Sequence, residues 1–153
     1  MNTIYLAGPD VFLSNAQQVL DEKKSKLEAI GFKVLTPFDK VSNDPVEIMV
    51  NNQMAIEDAD IILANVEPFR GTEPDSGTVY EIGYAVAMRK TVWTYNNQKR
   101  DYKTRLETYD YFFTGCKWAP EKFGLRQNLM ISASCTEFDT FEDVLKYLPY
   151  IGE

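Results

Sequence analysis

Residues 60–88 read DIILANVEPFRGTEPDSGTVYEIGYAVAM, and this stretch decides the fold. From Asp60 to Val66 the chain is almost unbroken apolar sequence, the pattern of a strand buried on both faces. The run gives way to a loop punctuated by Pro68, Gly71, Pro74 and Gly77. From Gly77 to Met88, Val79, Ile82, Ala85 and Val86 fall at helical spacing, with one carboxylate, Glu81, among them. A strand, a polar loop and a helix start are the parts from which an open α/β sheet builds a ligand site. Glu81 is the candidate nucleophile.

Working outward, the alternation repeats. Residues 3–7 form a short β-rich run halted by Gly8-Pro9. A helix is predicted over 15–30, although Lys23 and Lys24 interrupt its apolar stripe, and Gly31 is its stop. Strand two is 32–35, ended by Pro37, and helix two is 45–58. Strand four is 91–95, strand five 134–138, and a closing helix covers 141–148. The segment 96–134 reads as broken helices and a long loop, a length that often carries function.

Strands alternating with helices call for a parallel sheet covered on both faces. Five strands in one domain, 1–153, predict a flavodoxin-like sheet of order 2-1-3-4-5. Ligands in such sheets bind beyond the carboxyl ends of the strands, which here are 7–10, 65–75 and 95–97. Asp60 opens strand three at the opposite end and reads as structural.

Composition narrows the chemistry. The chain has 153 residues, 44% hydrophobic and 25% charged, with a net charge of −7. That balance is ordinary for a globular protein and unsuited to phosphate backbones, so no nucleic-acid partner is expected. No apolar run approaches a membrane span and the N-terminus has no signal-peptide pattern, so a cytoplasmic location is expected. Cys116 and Cys135 match no metal or redox spacing and read as free thiols. Lys99, Arg100, Lys103 and Arg105 read as a solvated face. The chain has no histidine. Proton transfer and nucleophilic attack must then fall mainly on carboxylates, tyrosines or lysines.

Gly77 lies four residues before Glu81, so the glutamate leans over a position without a side chain, which leaves room for a ligand. Asp75 or Ser76 is the predicted N-cap, and the helix N-terminus favours an ionised Glu81. Two readings stand at this point: a nucleophile with a partner carboxylate, or a solvated helix glutamate with an ordinary cap. Tyr5, mid-strand, is either a core aromatic or a hydroxyl aimed at Glu81.

Several pieces, in order, resemble the nucleoside 2-deoxyribosyltransferases. They are Tyr5-Leu6-Ala7-Gly8-Pro9 with Phe12, Asn52-Gln53, and Pro68-Phe69-Arg70-Gly71. Ala59-Asp60, Ala64-Asn65, Glu73-Pro74-Asp75-Ser76-Gly77-Thr78, Glu81-Ile82-Gly83-Tyr84-Ala85 and Phe123-Gly124-Leu125 with Asn128-Leu129-Met130 complete the set. The resemblance implies transfer of 2-deoxyribose between nucleobases, with deoxynucleosides and free bases as substrates. It implies Glu81 as nucleophile, Asp75 as acid/base and Tyr5 as the residue orienting Glu81. Gly8, Phe12, Asn52, Phe69, Gly77, Asn128 and Met130 fall on substrate-binding positions. Asn128 and Met130 are implied to serve a neighbouring subunit's site, in a dimer-based homo-oligomer of up to six chains. No metal or organic cofactor is implied. Asn52 stands where some members carry aspartate. The alternative on the same fold is a hydrolase of 2-deoxynucleoside 5′-monophosphates, and a different class is a non-catalytic nucleoside-binding module.

Overall fold

The computed structural model describes residues 2–99, 101–106 and 121–150. In chain order the elements are β1 (Thr3–Ala7), α1 (Ala16–Ala29), β2 (Lys33–Leu35), α2 (Pro45–Asp58), β3 (Ile61–Asn65) and α3 (Ser76–Ala87). Then come β4 (Thr91–Tyr95), α4 (Leu129–Ser132), β5 (Thr136–Glu137) and α5 (Phe141–Tyr147). The strands are all parallel, in the order β2-β1-β3-β4-β5, which is the flavodoxin-like order expected from the sequence.

Strand periodicity sorts the core into two layers. Ile4 and Leu6 of β1, with Ile61 and Leu63 of β3, pack against Leu20 and Leu27 of α1 and Phe141 and Val144 of α5. Tyr5 and Ala7, with Ile62 and Ala64, face Ile56 of α2 and Ile82 and Ala85 of α3. Every residue of β3 is buried, as its unbroken apolar run requires. The same alternation turns Tyr5 toward α2 and α3, the helices that carry Asn52 and Glu81.

Local chemistry sets the helix starts. Asp44 caps α2 by accepting from the N–H groups of Val46 and Glu47, with Pro45 in the first turn. Asp75 caps α3 by accepting from the Thr78 N–H at 2.9 Å. Thr140 caps α5 through the Asp143 N–H at 3.1 Å. Asp60 holds the opposite end of the sheet, its Oδ2 accepting from the Thr3 N–H at 2.8 Å.

Three expectations change. Strand five has only two residues, because Ser134 turns back to cap the carbonyls of Met130 and Ile131. Lys23 does not waste the apolar stripe of α1. Its ammonium reaches inward to Asp10 Oδ1 at 2.8 Å and the Tyr95 hydroxyl at 2.9 Å. Arg105 is not on a solvated face, being only 9% exposed. Cys135 is a free thiol; Cys116 and Arg100 lie outside the described residues, as does 107–120 of the long segment.

Candidate active site

The site lies beyond the carboxyl ends of β1 and β3, in a cleft of about 400 Å³. Its floor is a contact among three elements. The Tyr5 hydroxyl of β1 donates to Glu81 Oε1 of α3 at 2.7 Å. Asn52 Nδ2 of α2 donates to the same oxygen at 3.2 Å. Both bonds fall on Oε1, and among the described residues none falls on Oε2, which is left open.

Burial pushes the Glu81 carboxyl up from its ordinary 4.5 to about 7, and the charge of Asp75 adds to this. The hydrogen bonds from Tyr5 and Asn52 pull the other way without cancelling it. The helix N-terminus was expected to keep Glu81 ionised. Desolvation on this wall outweighs it. Burial and the neighbouring Glu81 charge push the Tyr5 phenol far upward, so Tyr5 remains a donor throughout the working range.

Asp75 and Gly77 line the same wall as Glu81. Asp75 Oδ2 takes both the N–H and the hydroxyl of Thr78, at 2.9 and 3.1 Å. A Cβ on Gly77 would meet that Oδ2 at 3.0 Å. The missing side chain therefore makes room for the Asp75 carboxylate as well as for a ligand. Gly8 is more constrained. Its φ is +155°, and a Cβ there would come within 2.7 Å of the Asn65 Cβ and 2.9 Å of Asp10 Oδ2. Only glycine fits this close approach between the loop after β1 and the end of β3.

Phe12 lines the cleft and is half exposed. Phe69 is not part of the cleft wall. It stands behind Phe12 with ring centroids 5.0 Å apart, and the Arg70 guanidinium lies 4.6 Å from the Phe69 ring centre. Asp10, in the loop after β1, is buried. It is held by Lys23 and by Asn65 Nδ2 at 3.3 Å. Asn128 and Met130 lie off the cleft of this chain. Asn128 caps α4 and donates to Glu121 Oε1 at 2.7 Å, while Met130 is 72% exposed.

The sequence reading missed the opposite wall. Pro37, Phe38, Lys40, Val41 and Ser42 of the loop after β2, with Ile48 of α2, complete the cleft. The signal was present: β2 neighbours β1, so its trailing loop opens on the same end of the sheet, and that loop carries apolar residues with no strand to bury them.

A family model described as nucleoside 2-deoxyribosyltransferase matches residues 4–130. The structure of a 2-deoxyribosyltransferase from Leishmania mexicana is similar over the whole of both chains, with 32% identity and a TM-score of 0.84. A 2-deoxyribosyltransferase from Bacillus psychrosaccharolyticus shares the fold. There 95% of this chain and 91% of that one align at 22% identity, with a TM-score of 0.62. An uncharacterized protein of Schizosaccharomyces pombe is 30% identical over 118 residues, 69% of this chain and 55% of that one. The chain thus spans about half the length of that curated relative. The family match takes in β1 from Ile4 onward, the β3–α3 loop and the whole of the Tyr5–Asn52–Glu81 contact: the chain belongs to the nucleoside 2-deoxyribosyltransferase family.

Proposed function

We propose that the protein exchanges the base of a 2-deoxynucleoside for a free nucleobase, by a retaining double displacement through Glu81. The observation that carries this reading is the arrangement of Glu81. One oxygen is fixed by Tyr5 and Asn52, and the other is open to a cleft of nucleoside size. Glu81 Oε2 attacks C1′ as the N-glycosidic bond breaks, forming a deoxyribosyl ester on the enzyme. Asp75, on the same wall, assists the departing base by supplying a proton, directly or through water. An incoming base then attacks C1′ from the face the first one left, its N–H proton passes to the Asp75 carboxylate directly or through water, and Glu81 is released as carboxylate. Two inversions restore the β configuration. A 2-deoxy sugar lacks the electron-withdrawing 2′-oxygen, so its oxocarbenium-like transition state is reached with two carboxylates. This is salvage chemistry, since a preformed deoxynucleoside is reused.

We further propose a homo-oligomer in which the site is shared. Met49, Val50 and Met54 lie on one face of α2 and are 43%, 41% and 45% exposed, with Tyr80 of α3 exposed too. A stripe of this kind on a surface helix favours a second copy of the chain as its cover. The exposed Met130 supports a segment that completes a neighbour's site.

The test is mass spectrometry of reactions holding one deoxynucleoside and a different free base. Base exchange is expected, with loss of exchange in Glu81→Ala. A 2-fluoro-2-deoxy donor is expected to label Glu81, and label on another carboxylate would move the role. Hydrolysis of a deoxynucleoside 5′-monophosphate with no base exchange would replace this reading by the hydrolase one.

A further inference from the structure

Arg105 lies in the helical turn 102–106, away from the cleft wall, and is buried. Its guanidinium donates to the Thr72 carbonyl at 2.6 Å, to the Arg126 carbonyl at 2.5 Å and to Gln127 Oε1 at 3.3 Å. Its Nε is buried and has no hydrogen-bond partner among the described residues. Withdrawing a guanidinium from water to hold two backbone carbonyls is a poor way to gain stability. What it gains here is geometry. Thr72 lies in the loop between β3 and α3, a loop closed on itself by the Phe69 N–H donating to the Glu73 carbonyl at 2.8 Å. Phe69 and Asp75 bracket that loop, one behind Phe12 and the other on the cleft wall.

The other end of the grip is anchored firmly. Gln127 is fully buried, and its Nε2 reaches Asn97 Oδ1 at 3.5 Å. Arg126 donates to the Asn97 carbonyl at 2.8 Å, to the Gln98 carbonyl at 3.0 Å and to Asp139 at 2.6 Å. Asn97 in turn donates to Thr94 of β4 and to the Phe138 carbonyl, both at 3.0 Å. A path from Thr72 to the end of the sheet thus runs through the Arg105 guanidinium.

The geometry points to Arg105 as a positioning residue for departure of the base: it fixes Thr72 against Arg126-Gln127 and so sets where Asp75 stands. Arg105 touches no substrate and acts only through the loop. The inference rests on the reading of Asp75 as the acid, and its test keeps the two apart. An ordinary donor, 2′-deoxyguanosine, needs a proton on its departing base. In 7-methyl-2′-deoxyguanosine the base already carries its positive charge and leaves neutral, so a misplaced acid costs nothing.

Arg105→Met is expected to lower kcat/KM for 2′-deoxyguanosine, which reports the base-release half-reaction alone, about tenfold or more, and to change kcat/KM for the 7-methyl donor less than about threefold. Arg105→Lys, which keeps the charge and can reach one carbonyl, is expected to fall between wild type and Arg105→Met. Asp75→Asn sets the reference and is expected to show the same donor dependence. Equal losses on both donors in the Arg105 variants, beside a donor-dependent Asp75→Asn, overturn the role of Arg105 alone. An Asp75→Asn enzyme with equal losses on both donors overturns the acid reading, and Arg105 with it. Failure of both Arg105 variants to fold also overturns it, because Arg105 is then required for the fold itself.

Discussion

At the residue scale, Glu81 carries opposing demands. As the proposed nucleophile it must act as a carboxylate, yet burial holds its pKa near 7. The rate is therefore expected to rise with pH through about 7 on the acid side of the kcat/KM profile. Tyr5→Phe removes a bond that lowers that pKa. It is expected to move the inflection to higher pH and to slow exchange about tenfold or more, read from profiles between about pH 5 and pH 9. The same shift has a cost in stability. Folded Glu81 binds its proton more tightly than unfolded Glu81, so the cost is absent below about pH 4.5, grows as pH rises toward 7, and is constant above it. Glu81→Gln is thus expected to be more stable than wild type by about 3 kcal/mol at pH 8 and nearly equal to it near pH 4.5. Denaturation curves at the two pH values measure this. A Glu81→Gln protein no more stable at the higher pH would contradict the burial argument.

At the scale of elements, the proposed mechanism joins capping to catalysis at the start of α3. Gly77→Ala replaces a poor helix former in the first turn, worth up to about 0.5 kcal/mol of helix stability. The new methyl presses on Asp75 Oδ2. The expected result is a protein at least as stable as wild type whose exchange rate drops several-fold, measured by melting and by initial rates side by side. The boundaries of this element and its neighbours were legible in the sequence because they rest on local signals: proline and aspartate at the start of α2, the unbroken apolar run of β3, the spacing of α3. The partners of Lys23 and Arg105 were not. Each is a long cation whose contacts lie in distant elements, Asp10 and Tyr95 for one and Thr72 and Arg126 for the other. Charge on its own helix says nothing of where such a side chain ends. The loop after β2 was missed for a related reason. It has no motif, and only the placement of β2 beside β1 brings Phe38 and Val41 over the site.

For the whole molecule, the sheet order does most of the assembly. With β1 between β2 and β3, the face opposite α1 presents Tyr5 to α2 and α3, and that register brings it to Glu81 and Asn52. The apolar stripe of α2 concerns a larger scale. Met54→Glu places a charge in it and is expected to shift the protein toward smaller species in analytical ultracentrifugation. Lost exchange is expected to return on concentrating the variant, whereas an unchanged mass and rate would remove α2 from the interface. Burial of Glu81 also bears on the loaded enzyme. A dry wall that disfavours a carboxylate is indifferent to an ester, and the sugar-bearing side chain has no charge to shed water from. Loading the sugar therefore relaxes the protein, so the trapped 2-fluoro adduct is expected to melt above the free enzyme at pH 8, by a margin that narrows toward pH 5.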